Sequence, residues 1–251
     1  MNLQVDINAD LGEGAGHDSE LLALVSSASI ACGFHAGDVA AITSSLALAA
    51  EFGVAVGAHP SLDDRANFGR TELPVTPHEV FALVVYQVAA FNALASAAGT
   101  PAKHLKPHGA LYNMAARDRT LADGVVRAIG AVDPGLVLFA PGSSELACAA
   151  ESQGIRIARE VFADRNYLPN GALVPRSRPD ALLHDASEVA PRVLRMLREH
   201  KVRAIDGSDV PIQADTICVH GDTPDAVELV RNLRSQLERE GVIIGAPAFS
   251  R

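Results

Sequence analysis

Positive charge is scarce in this chain: 21 Lys and Arg stand against 30 Asp and Glu, a formal net charge of −9. A nucleic-acid partner is therefore not expected, because phosphate backbones need a basic face. Cysteine is scarce too. Cys32, Cys148 and Cys218 are odd in number and scattered, with no Cys-x-x-Cys, which argues against a disulfide framework and fits a reducing cytoplasm. No apolar run reads as membrane-spanning and the N-terminus carries no signal-peptide pattern, so no membrane association is expected. No Ser/Gly-rich or charge-rich linker divides the sequence, and residues 1–251 read as one domain. Familiar signatures are missing as well: no Gly-x-x-x-x-Gly-Lys-Ser/Thr loop, no Gly-x-Ser-x-Gly elbow and no His-Glu-x-x-His. Gly12-Glu-Gly-Ala-Gly16 is not a dinucleotide fingerprint, since its spacing is wrong and Glu13 would repel a phosphate.

What is present is an alternation. With 48% hydrophobic residues the chain can bury a large core. Short apolar runs at Leu3–Asn8, Ser29–Cys32, Val54–Gly57, His104–Lys106, Leu136–Ala140, Ile155–Glu160, Asp215–Val219 and Val242–Ile244 read as strands. Between most of them lie helical stretches with start and stop signals, such as Thr76-Pro-His-Glu79 at one opening and Gly53, Gly99, Gly154 and Gly241 at closings. Ser187 reads as a helix start, with Pro191 tolerable near it because first-turn N–H groups have no intrahelical partner. Val202–Pro211 reads as a short extra hairpin, and the irregular stretch from Phe162 to about Leu183 as a functional loop. Strand–helix alternation means parallel strands and right-handed crossovers. The expected fold is a single (β/α) barrel of seven or eight strands, irregular, with an open doubly wound sheet as the alternative.

In such a barrel the carboxyl ends of the strands share one mouth. The sequence places Asn8 and Asp10 at the first end, His35 and Asp38 at the second and His59 at the third. Lys106 and His108 follow at the fourth, with Tyr112 and Asn113 close behind; Glu160 to Arg165 are at the sixth, and His220 and Asp222 at the last. The opposite strand ends carry mostly glycine and apolar residues. Each residue also has a plainer reading: Asp6 and Asp10 as turn caps, Cys32 and Cys218 as small core residues, Phe68 and Phe162 as loop anchors. Lys106 resists one, because burying an ammonium is costly without a partner. Imidazoles and carboxylates suit zinc, manganese or iron, with His35, His59 and His220 as candidate ligands, although no pair shows i, i+4 spacing.

Seven segments carry a resemblance: Asp6-Ile-Asn-Ala-Asp-Leu-Gly-Glu13, Ala31-Cys-Gly-Phe-His-Ala-Gly-Asp38, Gly57-Ala-His-Pro-Ser61, Asn67-Phe-Gly-Arg70, Lys106-Pro-His-Gly-Ala-Leu-Tyr-Asn113, Glu160-Val-Phe-Ala-Asp-Arg165 with Tyr167, and Cys218-Val-His-Gly-Asp222. In order and composition the chain resembles the LamB/YcsF family, the A subunit of bacterial 5-oxoprolinase; Val39 departs from the proline expected at that helix start. The resemblance implies a barrel related to the glycoside hydrolase and deacetylase superfamily. It implies ring opening of 5-oxo-L-proline to L-glutamate, coupled to hydrolysis of ATP with its divalent cation, and subunits B and C as partners. In that chemistry Lys106 is expected to stabilise phosphoryl or oxyanion charge, with Arg70 or Arg165 assisting. Asp10, Glu13 or His35 is the expected base, and His59, His108 and His220 position substrate or a metal. Two alternatives stay open: a metal-dependent amidohydrolase or deacetylase that needs no ATP, and a non-catalytic substrate-binding subunit.

Overall fold

Alanine-rich and β-branched runs alternate with capped helices in the computed structural model, which describes residues 3–183, 185–219 and 226–247. The first half runs β1 (Gln4–Leu11), α1 (Asp18–Leu22), β2 (Ser27–Ala31), α2 (Val39–Phe52), β3 (Ala55–His59), a 3-10 turn (Arg65–Asn67), α3 (Pro77–Ala97) and β4 (His104–Leu105). Next come α4 (Gly109–Arg117), α5 (Arg119–Val132), β5 (Val137–Ala140), α6 (Glu145–Ser152) and β6 (Ile157–Phe162). The chain ends with α7 (Ala186–Glu199), β7 (Lys201–Arg203), β8 (Asp209–Pro211), β9 (Thr216–Val219), α8 (Ala226–Arg239) and β10 (Ile243–Ile244).

Strands β1 to β6 pair in parallel in sequence order, β9 pairs with β6, and β9 pairs again with β1. This closes a barrel of seven parallel strands, with helices outside. The expected barrel is therefore the fold, and the eighth strand of the sequence reading, β10, lies outside the ring on the start of β1. The antiparallel pair β7–β8 sits apart, in the long connection between β6 and β9.

Local chemistry explains the helix boundaries. Thr76 accepts from the Glu79 N–H while the Glu79 carboxylate accepts from the Thr76 N–H, a complete capping box with Pro77 in the first turn. Asp118 caps α5 and Ser144 caps α6 by accepting first-turn N–H groups with their side chains. Gly53 ends α2 in the left-handed conformation at φ 68°.

Three expectations need correction. Helix α3 is long and apolar enough to cross a membrane by length and composition. Its Val80, Val84, Val88, Phe91 and Ala95 are instead buried in the barrel's outer core. Helix α4 is not predicted from the sequence, because Pro107-His108-Gly109 reads as a breaker. The chain turns at Gly109 (φ 53°), the Ala110 N–H donates to the Gly69 carbonyl, and the helix begins at once. Pro191 lies inside α7, past its first turn, so that helix forgoes one backbone hydrogen bond.

Candidate active site at the barrel mouth

The two-residue period of a strand stacks Asp6, Asn8 and Asp10 up the inside of β1. Register sets Thr216 of β9 level with Asp6 and with Glu160 of β6, and Cys218 level with Asn8 and Phe162. A barrel interior ordinarily filled by branched aliphatics is here a polar column.

Lys106, directly after β4, enters this column. Its side chain is only 3% exposed, and Nζ lies 2.9 Å from Asp10 Oδ1 and 2.9 Å from Glu160 Oε1. Nζ also donates to Asn8 Oδ1 (3.2 Å) and to Cys218 Sγ (3.0 Å). Burial alone would push the ammonium's pKa down, but the Asp10 and Glu160 carboxylates outweigh it and hold the pKa well above the usual lysine range. The second oxygen of Glu160 accepts from the Tyr112 hydroxyl at 2.7 Å. Cys218 is thus not a simple core residue: it contacts the ammonium, and burial still drives its thiol pKa up. Phe162, read as a loop anchor, ends β6 with its ring 5.6 Å below Nζ.

Beside the ammonium lies a second group, Glu13, His35, His59 and His108, whose ligand atoms all fall within 4.8 Å of one another. The chain brings them from the turns and ends of four successive strands, which is why no local spacing announces them. The His59 Nδ1–H faces the Lys106 carbonyl at 2.7 Å, leaving Nε2 with its lone pair. The His108 Nε2–H faces the Phe68 carbonyl at 2.9 Å, leaving Nδ1 with its lone pair. Those two nitrogens are 2.9 Å apart. Two lone pairs aimed at each other repel, unless a proton or a cation lies between them. Glu13 Oε1 completes the group, 2.9 Å from His35 Nε2 and 3.3 Å from His108 Nδ1. Burial lowers the His35 pKa to about 4 and lowers that of His108, so both favour the neutral, ligating form. Burial opposes a charge on His59 as well, but Asp10, 3.4 Å away, and Glu13 raise its pKa, making His59 the member that takes up a proton. His35 and His108 neutral, His59 once deprotonated, and one carboxylate form a donor set that fits a divalent metal, with backbone carbonyls orienting His59 and His108.

A glycine hinge packs the loop after β3 onto this group. Phe68 adopts a left-handed backbone (φ 56°) and its ring meets the His35 and His108 rings edge-on. A Cβ on Gly69 would lie 2.8 Å from His35 Cβ and 3.0 Å from His108 Cδ2, so only glycine fits there.

Above both groups opens a cavity of about 910 Å³, with Asp10, Glu13, His59, Lys106 and His108 on its floor. Arg70, Tyr112, Asn113 and Arg165 line its walls. Arg165 is buried; it donates to the Val174 carbonyl at 2.6 Å, and its Nε has no partner among the described residues. Three expected residues sit elsewhere. Asn8, expected on the substrate, is fully buried beneath Lys106. His35, expected as a base, lies behind Glu13 and does not line the cavity. Asp38 caps α2 through the Ala41 N–H. His220 and Asp222 lie outside the described residues. Sequence reasoning missed Glu160 as the second carboxylate on Lys106, together with Thr216 and the part played by Cys218; alternation along β6 and β9 was the available signal.

Residues 5–249 match the LamB/YcsF family profile. The chain is 45% identical to the lactam utilization protein from Thermus thermophilus, over 97% of this chain and 100% of that one, with a TM-score of 0.91. The barrel alone is shared with the catalytic domain of a peptidoglycan N-acetylglucosamine deacetylase from Eubacterium rectale (11% identity, 100% and 91% covered, TM-score 0.53). It is also shared with a family 4 carbohydrate esterase from Streptomyces lividans (12% identity, 98% of each chain, TM-score 0.50). With the family profile matched over residues 5–249 of a seven-stranded barrel, the chain belongs to the LamB/YcsF family.

Proposed function

We propose that this chain is the A subunit of an ATP-dependent 5-oxoprolinase, opening 5-oxo-L-proline to L-glutamate in the cytoplasm together with subunits B and C. The observation that carries this reading is the buried Lys106 ammonium, clamped by Asp10 and Glu160 at the floor of a cavity of about 910 Å³. That volume lies near the top of the range for ligand pockets, about 300–1,000 Å³. It is several times what a five-membered ring needs, which leaves room for a second, larger reactant. Kinship with a lactam utilization protein supports a lactam as the small substrate.

A five-membered lactam is a stabilised amide, and coupling to ATP overcomes its reluctance to hydrolyse. The γ-phosphoryl group passes to the amide oxygen, releasing ADP. Water then adds at the activated carbon and the ring C–N bond breaks with a proton going to nitrogen, leaving an acyl phosphate, which a second water hydrolyses to the carboxylate and inorganic phosphate. Lys106 meets the charge on the phosphoryl or amide oxygen. Asp10 and Glu13 are the carboxylates on the cavity floor able to take the proton from water, with His59 against both. Arg70 and Arg165 face the anionic ends of the reactants, and Tyr112 and Asn113 shape the wall. Magnesium enters with ATP. A resident divalent metal would be held by Glu13, His35, His59 and His108, supplying positive charge at the floor when bound.

The same four-donor group favours a second reading, a metal-dependent amidohydrolase or deacetylase that works without nucleotide. Turnover of 5-oxoproline by the reconstituted complex, with and without ATP and chelator, separates the two. ATP-dependent glutamate release that collapses in Lys106→Ala and His108→Ala is the expected result. Nucleotide-free turnover abolished by chelator favours the second reading. Near-normal ATP-coupled turnover in both variants removes the site from the reaction.

A further inference from the structure

Asp6 lies at the bottom of the polar column, with no exposed surface and no cation beside it among the described residues. Its Oδ1 accepts from Ser26 Oγ (2.6 Å), and its Oδ2 accepts from Ser27 Oγ (2.7 Å) and Thr216 Oγ1 (2.5 Å). An ionised carboxylate only accepts, so each hydroxyl must spend its hydrogen on it. Thr216 has a single hydroxyl hydrogen and gives it to Asp6. Toward Asn8 it can therefore only accept, and it takes the Asn8 Nδ2–H at 2.7 Å. The second Nδ2 hydrogen goes to Glu160 Oε1 at 3.1 Å. With both amide hydrogens committed downward and sideways, Asn8 Oδ1 is turned up to Lys106 Nζ at 3.2 Å.

We propose that Asp6 and Thr216 are positioning residues, whose one-way hydrogen-bond chain locks the Asn8 carbonyl onto Lys106 and so fixes where the ammonium stands in the mouth. This rests on the reading that Lys106 acts on the substrate. The opposite polarity shows the need for a lock. If the Thr216 hydroxyl turned its hydrogen to Asn8, the amide would flip and set an NH2 group against the ammonium, donor against donor.

Stability alone does not call for this arrangement. A buried carboxylate costs more than a well-packed aliphatic side chain of similar size. Burial, opposed only in part by the three hydroxyls, raises the Asp6 pKa to about 6. Ser26 and Ser27 already supply two donors to the carboxylate. Among the described residues, the Thr216 hydroxyl alone reaches both Asp6 and Asn8, and Asn8 alone joins it to Lys106.

The test compares Thr216→Val, which keeps the shape and removes the hydroxyl, with Thr216→Ser, which restores it. Two quantities are read: steady-state kinetics of the reconstituted complex, and exchange of the Asn8 side-chain amide protons by NMR of asparagine-labelled protein. Asn8→Asp assigns the Asn8 signal. A hydrogen bond to a charged group is large enough for about a tenfold effect. Thr216→Val is expected to lower kcat about tenfold with KM nearly unchanged, and to speed Asn8 amide exchange at least about tenfold. Thr216→Ser should stay close to the parent in both. Asp6→Asn, the second variant should Thr216→Val fail to fold, carries the same expectation as Thr216→Val. Unchanged amide exchange and kcat in Thr216→Val, or equal damage in Thr216→Ser, would overturn the proposal. If the parent complex shows no ATP-dependent turnover, the functional reading fails, and amide exchange still decides whether the lock exists.

Discussion

His59 and His104 are buried imidazoles on neighbouring strands, yet their basicities are driven apart. His104, inside the barrel wall, stacks on Phe139 at 4.1 Å between ring centres and touches Ser29 Oγ at 3.2 Å. Burial, and then the positive Lys106, push its pKa down to about 3. His59 is equally hidden but faces Asp10 and Glu13 at 3.4 and 3.7 Å, and its pKa goes up. Depth therefore does not decide charge in this barrel; nearby carboxylates do. The mouth is built to hold ions, and the wall beside it to exclude them.

Removing the mouth's buried cation is the most severe way to break that contrast. Lys106→Met leaves Asp10 and Glu160 facing each other without their counter-charge. Denaturant unfolding should show a loss of roughly 3–5 kcal/mol. Under the proposed function, ATP-coupled turnover should fall by about 10²–10³-fold. A variant more stable than the parent would show that the carboxylates do not depend on the ammonium.

On the wall side, Gly57→Ala tests how tightly His104 is held, because the new Cβ would lie 2.2 Å from the ring. A cost of about 1–3 kcal/mol is expected from overpacking, and His104→Ala in the same chain should relieve it. Unfolding free energies of the two single variants and the double variant measure the coupling.

The pH dependence of stability sharpens the contrast further. His104 is near 3 in the folded chain and about 6.5 in an unfolded one, so below pH 6.5 the unfolded chain binds the extra proton. Its contribution is complete above pH 6.5 and is lost as pH falls toward 3, with a slope of at most about 1.4 kcal/mol per pH unit. His35, near 4 in the fold, acts in the same direction. These two histidines lower the melting temperature from pH 7 to 4, against opposite contributions from Asp6 and His59, whose pKa values are raised, and His104→Phe should remove part of the lowering. A variant with an undiminished slope would place the effect elsewhere.

The smallest expected effect lies far from either region. Thr76→Ala removes one half of the α3 capping box and should cost about 1 kcal/mol. Turnover at a temperature where the variant stays folded should be unchanged. A turnover defect there would mean that the mouth responds to the packing of the outer helices.

Much of the mouth could be read from the chain because several strands end at or beside an unusual polar residue, as at Asp10, His59 and Lys106. The barrel was legible for the same reason: apolar runs alternate with capped helices such as Thr76 to Ala97. What stayed hidden depends on which residues face one another across the ring. Asp6 reads locally as a turn residue, and only the register with Thr216 shows it deep inside. Cys218 looks apolar until Lys106 is found 3.0 Å away. The ligand-like group of Glu13, His35, His59 and His108 draws on four turns, with no period to betray it. Helix α4 was concealed by Gly109, whose turn and helix start coincide.

The chain between β6 and β9 gives the cavity its far side, with Pro169 to Ser177 facing the floor built on the strands. Two isolated bridges, Arg165 with Leu182 and Tyr167 with Leu173, brace that excursion internally, while Leu173 packs it onto Tyr112, Phe162 and Cys218. Appetite is thus written largely in residues 169–177, a passage apart from the strands beneath. Rewriting those residues would change which guests are admitted, while Asp10, Glu160 and Lys106 kept their ion pairs.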